Sequence, residues 1–247
     1  MTSYETTDDL KNLPIHDNGE PLVDFRTCGA VFAPRHSVFP FPRLPLLRWG
    51  VVARLVEVVK ALPVGWTLHI NEGFRPIEVQ RLQFEAGRRR FESMFPDMDP
   101  AERAALLEDF TAPPDVPEVP PPHSTGGALD IRLLDANGEE VDLVSPFARD
   151  DTLHVAAWDA PVSPEARANR EILGAAMAAG GITNYPAEYW HWSYGDQGWA
   201  HRGGHPAAIY GRLDYTIAGL EAMTGILANR ENPLHDWPVD LPKEIIT

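Results

Sequence analysis

The segment His123-Ser-Thr-Gly-Gly-Ala-Leu-Asp-Ile-Arg-Leu-Leu134 is the part of the sequence that decides the fold. Its second half is an apolar strand, and Asp135-Ala-Asn-Gly138 predicts a hairpin turn towards a partner strand at residues 140–143. Gly126 and Gly127 permit a sharp bend before the strand. We therefore expect His123 on an approach loop and Asp130 on the strand, with both side chains directed at one point.

The regions around this segment predict one α+β domain over residues 1–247, in which helices flank a small antiparallel sheet that carries the site. Six prolines make residues 112–122 a stiff loop leading into His123. Residues 1–45 are expected to form an N-terminal wrapping arm, and residues 229–247 an irregular tail. Short strands are predicted at residues 67–71 and 188–194. Apolar periodicity predicts helices at residues 47–62, 76–95, 101–110, 164–179 and 215–228.

Composition excludes several classes of function. The formal net charge of -15 argues against nucleic-acid binding, which needs clustered Lys and Arg. No stretch approaches the roughly 20 apolar residues of a membrane helix, and the acidic, polar start lacks a signal-peptide pattern. We therefore expect a cytoplasmic protein that binds neither membrane nor nucleic acid. Cys28 stands alone, so a metal site here would use His and carboxylate ligands.

Two segments carry the candidate chemistry, namely residues 123–130 and Glu188-Tyr-Trp-His191. They offer two imidazoles and one carboxylate as metal ligands, and a second carboxylate beside the last ligand. Three protein ligands with an open fourth position are typical of catalytic zinc, and a spare carboxylate is a natural base for its water. Two alternatives stay open, since Asp130 could instead pair with Arg132 or Arg212. The neighbouring aromatic residues could wall the site or pack in the core; they are Tyr189, Trp190 and Trp192.

These motifs resemble those of the zinc D-alanyl-D-alanine dipeptidases, which include the vancomycin-resistance dipeptidases. The shared pattern is His-x6-Asp followed by Glu-x-Trp-His, which is specific for the wider group of zinc D,D-peptidases and L-alanyl-D-glutamate peptidases. Gly73-Phe-Arg-Pro76 is similar to a motif of the dipeptidase branch, and Asn169-Arg170 also fits. The likeness covers about residues 20–200.

The resemblance implies a role for each site residue. His123, Asp130 and His191 would bind one zinc ion per chain, and Glu188 would transfer the proton of the attacking water to the leaving amine. Arg75 would stabilise the oxyanion, a role that suits a permanently charged donor. A salt bridge that stabilises the turn is the alternative reading of Arg75. The implied function is hydrolysis of a D-Ala-D-Ala-like dipeptide, with a small peptide as the substrate.

The sequence departs from the family pattern at two positions that concern the substrate amine. Pro121 stands where the dipeptidases have Ser, and Phe147-Ala148 where they have Phe-Asp; Asp150 or Asp151 could substitute. Alternative functions are therefore a peptidoglycan D,D-carboxypeptidase or endopeptidase, an amidase acting on a D-amino-acid metabolite, and a non-catalytic zinc-bearing binding domain. The sequence makes no prediction of oligomeric state.

Overall fold

The computed structural model describes residues 4–34, 43–148, 152–216 and 218–219. The strands are β1 (Leu22–Asp24), β2 (Val31–Phe32), β3 (Leu46–Arg48), β4 (Thr67–Glu72), β5 (Ala128–Leu134), β6 (Thr183–Asn184) and β7 (His191–Ser193). The helices are α1 (Thr7–Leu10), α2 (Trp49–Ala61), α3 (Ile77–Met94), α4 (Pro100–Glu108), α5 (Thr152–Val155), α6 (Pro164–Ala179) and α7 (Gln197–Gly203). Two short 3-10 turns lie at Phe25–Cys28 and Pro122–Thr125.

The main sheet has five strands in the order β2-β4-β5-β7-β6. Its pairs are antiparallel except for β2 with β4 at one edge, and β1 and β3 form a separate antiparallel pair. The predicted α+β class, with a small, mainly antiparallel sheet flanked by helices, is confirmed. That the whole chain forms one domain stays a prediction.

Strand β5 separates the hydrophobic core from the candidate site. Leu129, Ile131 and Leu133 are buried and share one core with α2 and α6. Because successive side chains of a strand point to opposite faces, Asp130 lies on the other face of the sheet. The core thus fixes the orientation of the strand and directs this carboxylate away from the apolar layer.

An irregularity in β4 brings a second carboxylate to the same face. Ile70 pairs with Ile131, yet Glu72 pairs with Asp130, so the register shifts between the two pairs. Without this bulge, Glu72 would lie on the core face together with Ile70. Bulges redirect side chains in this way and are frequent beside active sites.

Three local predictions need correction. Leu47 belongs to β3, where it pairs with Val23, and helix α2 begins only at Trp49. Pro76 precedes the first residue of α3 rather than occupying it. The partner strand predicted at residues 140–143 is reduced to a single bridge between Leu134 and Glu140.

Some predictions fall outside the described residues. These are the tail at 229–247, almost all of the helix predicted at 215–228, and both Asp150 and Asp151. None of the described helices is both long and apolar enough to span a membrane.

The Asn169-Arg170 pair lies within α6 and has a structural role there. Arg170 is fully buried, and its guanidinium donates hydrogen bonds to four backbone carbonyls, those of Leu143, Val155, Ala157 and Trp158. Buried carbonyl groups need hydrogen-bond donors, and this one side chain supplies them for four carbonyls of the irregular segment between β5 and α6.

Candidate metal centre and active site

His123 is held in position by the turn that precedes β5. Gly126 ends this turn in the left-handed region, with φ of 74°, and a Cβ atom there would lie 2.7 Å from a methyl carbon of Leu22. Glycine is therefore required at this position. The Nδ1 atom of His123 lies 2.8 Å from the carbonyl oxygen of Gly73. Because a carbonyl only accepts, Nδ1 carries the proton, and Nε2 presents its lone pair to the site.

The sheet register brings Glu72, Asp130 and His191 together. Asp130 pairs with Glu72 on one side and with His191 on the other, so the three side chains form a row on one face. The Oδ1 atom of Asp130 lies 3.1 Å from Nδ1 of His191 and 3.4 Å from Nε2 of His123. The alternative partners of Asp130 are engaged elsewhere, Arg132 with Glu140 and Arg212 with Asp214.

The donor set of His123, Asp130 and His191 fits zinc. Their candidate ligand atoms all lie within 4.8 Å of one another. Bonds of about 2.0–2.1 Å in a tetrahedral zinc site place ligand atoms roughly 3.4 Å apart, close to the two short separations here. Burial lowers the pKa of His191, which favours the neutral, metal-binding imidazole. Burial alone would raise the pKa of Asp130, but the two imidazoles outweigh it and hold this pKa low.

Glu188 lies in the turn that leads into β7. Its Oε2 atom is 3.9 Å from Nδ1 of His191. The side-chain amide of Asn184 donates to the carbonyl oxygens of both Glu188 and His191, at 2.9 Å each, and so fixes their relative position. Burial raises the pKa of Glu188 well above its usual value; the charge of Asp130 adds to this effect and Arg75 opposes it. Glu188 is thus a carboxylate that readily accepts a proton.

Arg75 is buried and forms a salt bridge with Glu72. The contact that the alternative interpretation of Arg75 requires is therefore present. Nε and Nη2 of Arg75 donate to the two carboxylate oxygens of Glu72 at 2.9 and 2.6 Å, and Nη1 donates to Oε1 of Gln80 at 2.8 Å. A guanidinium has five N–H groups, so two remain for a ligand. Sequence reasoning missed both partners, although Glu72 stands only three residues before Arg75.

One cavity of about 880 Å³ connects these groups. Its wall includes all five predicted site residues: Arg75, His123, Asp130, Glu188 and His191. Of the three candidate aromatic residues, Trp190 lines the cavity, whereas Tyr189 and Trp192 are packed in the core. Tyr185, which sequence reasoning did not select, also lines it.

Comparison with known proteins supports one family. Residues 50–207 match the model of the peptidase M15 family described as D-Ala-D-Ala dipeptidase. A D-alanyl-D-alanine dipeptidase of Synechocystis sp. is 30% identical over 242 residues, covering 82% of this chain and 95% of the relative. A D-alanyl-D-alanine dipeptidase of Escherichia coli is 37% identical over 71 residues, covering 28% of this chain and 35% of the relative.

Solved structures give weaker matches. A zinc-containing vancomycin-resistance D,D-pentapeptidase VanY is 14% identical with a TM-score of 0.39, covering 71% of this chain and 94% of that one. The LD-carboxypeptidase LdcB is 15% identical with a TM-score of 0.40, covering 82% and 90%. Family membership therefore rests on the family model, whose matched residues 50–207 contain all five predicted site positions, and on the Synechocystis relative, which covers 82% of the chain. On these matches, the chain belongs to the D-Ala-D-Ala dipeptidase family of metallopeptidases.

Proposed function

We propose that this protein is a zinc-dependent dipeptidase that hydrolyses a D-Ala-D-Ala-like dipeptide. One zinc ion per chain would be held by His123, Asp130 and His191. The observation that carries the proposal is the position of Glu188, whose largely buried carboxylate lies 3.9 Å from Nδ1 of His191 in the same cavity. A purely structural metal site would need no free carboxylate there.

The residues of the chain divide the chemistry between them. Zinc would supply Lewis acidity, which polarises the scissile carbonyl and lowers the pKa of water to about 7. Glu188 accepts a proton from the attacking water and then delivers it to the departing amine. Its raised pKa favours the first transfer, because a stronger base holds the proton more firmly.

Arg75 stabilises the negative charge that develops on the carbonyl oxygen. Glu72 and Gln80 hold its guanidinium at three N–H groups, so little reorganisation is needed when that charge appears. Fixed donors of this kind contribute more inside a buried site than in water.

A panel of dipeptides combined with metal analysis tests the function. We expect the purified protein to contain zinc, to cleave D-Ala-D-Ala and to lose activity when a chelator removes the metal. Added zinc should restore turnover. Equal rates on D,D-, L,D- and L,L-dipeptides would contradict the proposed substrate class, and unchanged activity after complete metal removal would contradict the mechanism.

Replacement of Arg75 by lysine should lower kcat by about 10²-fold or more, as expected for the loss of an oxyanion donor. Lysine keeps the charge but cannot pair with both oxygens of Glu72 and still reach the substrate. Zinc content should stay at the wild-type level. Arg81→Lys is the matched control, since Arg81 lies on the adjacent helix in an exposed pair with Asp115. Wild-type kcat in Arg75→Lys would exclude the oxyanion role.

A further inference from the structure

The cavity is larger than D-Ala-D-Ala requires. Pockets of about 300–1,000 Å³ hold drug-sized ligands, whereas this dipeptide has only about 11 non-hydrogen atoms. At about 880 Å³, the cavity extends beyond the metal ligands. Its additional walls come from α1, α4 and the proline-rich loop, elements that carry none of the five predicted site residues.

Helix α4 turns an apolar face towards this additional space. Leu107 is its only buried residue, so the helix contributes little to the hydrophobic core. Ala105 and Leu106 supply this face, and the cavity is also lined by Met98, which precedes the helix, and by the charged Glu102 of its first turn. Other apolar side chains face the same space and remain partly exposed, namely Leu10, Phe110 and Val119. Removal of this apolar surface from water would make the binding of an apolar ligand group more favourable.

The N-terminal arm is fixed against this space by side-chain contacts. The side-chain amide of Gln197 donates to the carbonyl oxygens of Leu10 and Leu13 at 3.2 and 2.7 Å, and to that of Glu118 at 2.9 Å. The amide therefore ties the arm and the proline-rich loop to the start of α7. These hydrogen bonds hold the part of the cavity wall that the arm and the loop form.

The charges of the residues in this additional space indicate that the amino end of a dipeptide, rather than its carboxylate end, lies there. Three carboxylates line this region, those of Glu102, Glu108 and Asp109, whereas the carboxylate of Glu5 is paired with Arg202. The basic lining residues among the described part of the chain, Arg75 and Arg202, come from other elements. Burial and the charge of the neighbouring Glu108 raise the pKa of Asp109. A substrate carboxylate would be repelled here, whereas a protonated amine would be attracted.

We infer that this space is a subsite for the amino-terminal residue of the substrate, and that this residue carries an apolar side chain larger than methyl. The inference rests on the proposed function and specifies its substrate class. The amine lies towards the carboxylates, and the side chain lies against α4 and the proline-rich loop. Pro121 itself lines the cavity, so one of the two positions that depart from the family pattern belongs to the same wall.

Three peptides test the subsite, namely D-Leu-D-Ala, D-Ala-D-Leu and D-Ala-D-Ala. The kcat/KM of the wild-type enzyme for D-Leu-D-Ala should exceed that for D-Ala-D-Ala by about tenfold or more, since each buried methylene group strengthens binding severalfold. D-Ala-D-Leu should show no such gain. A wild-type preference for D-Ala-D-Ala or for D-Ala-D-Leu would overturn the inference while leaving dipeptidase function intact.

Variants of α4 localise the effect. Ala105→Trp should lower the ratio of kcat/KM between D-Leu-D-Ala and D-Ala-D-Ala by about tenfold, because indole fills the subsite. Leu106→Ala should lower the same ratio by removing contacts without adding bulk. Ala104→Trp is the control, since Ala104 is exposed and does not line the cavity. An unchanged ratio in both Ala105→Trp and Leu106→Ala would overturn the inference.

A binding measurement separates failure of the subsite from failure of the proposed function. Calorimetric titration of the same peptides into Glu188→Gln protein reports affinity without turnover. Tighter binding of D-Leu-D-Ala than of D-Ala-D-Ala supports the subsite even if no peptide is cleaved by the wild-type protein. Equal affinities contradict it, whatever the activity.

Discussion

Glu188→Gln protein is expected to lose about 10³-fold in kcat while its zinc content stays at the wild-type level. Glutamine preserves the size of the side chain but cannot take a proton from water, and positioned general bases contribute about 10²- to 10⁴-fold. The metal should remain because His123, Asp130 and His191 supply the proposed ligand set without Glu188. A large fall in kcat at constant metal content would separate proton transfer from metal binding.

Steady-state kinetics and elemental analysis on the same preparations make this measurement. Glu165→Gln is a suitable control, since Glu165 is exposed in the first turn of α6. Full activity in Glu188→Gln would show that another group accepts the proton, and the mechanism would then be wrong. Loss of zinc from the variant would instead assign Glu188 to the metal.

The sequence was sufficient to predict where His123 and Asp130 lie, but not that Glu72 lies beside Asp130 on the same face of the sheet. His123 on an approach turn and Asp130 on the strand follow from local features, a glycine pair and an apolar strand. Glu72 does not follow from them. Regular alternation would place it with Leu68 and Ile70 on the core face, and a bulge is needed to bring it opposite Asp130.

The second motif shows a similar limit. Residues 188–194 were predicted as a strand, but the strand comprises only His191–Ser193, and Glu188 lies in the turn before it. Alternation therefore gives no rule for Tyr189 and Trp190, and composition could not decide which of them faces the cavity. The packing of Tyr189 over the buried Arg170 guanidinium, a contact between distant parts of the chain, makes that distinction.

Helix α4 was predicted close to its observed bounds, but its place in the wall of the cavity was not predicted. Propensity and the Asp99-Pro100 start are enough to define a short helix at residues 100–108. That it buries only Leu107 and turns Ala105 and Leu106 towards the cavity depends on long-range packing. The proposed subsite is therefore the part of the site that was hardest to predict from the sequence.

His191→Ala protein should lose both zinc and turnover. The variant retains two of the three proposed ligands. Loss of a residue that only hydrogen-bonds to a zinc ligand already lowers zinc affinity by about 10- to 100-fold. Removal of a ligand itself should therefore lower zinc affinity by more than about 100-fold. Dialysed variant should contain almost no zinc, and its activity should fall to background. The fold should persist, since the buried core lies on the opposite face of β5.

Thermal unfolding with and without chelator provides a readout that does not depend on activity. Bound zinc stabilises the wild-type protein by about 2.7 kcal/mol when its free concentration is 100 times Kd, so a chelator should lower the wild-type Tm. The Tm of His191→Ala protein should not respond, because the variant has no zinc to lose. His205→Ala is the matched histidine control, since His205 is exposed and stacks on Trp199. Its Tm should respond to chelator as the wild type does. Retention of stoichiometric zinc by His191→Ala protein would exclude His191 as a ligand and would require a different donor set.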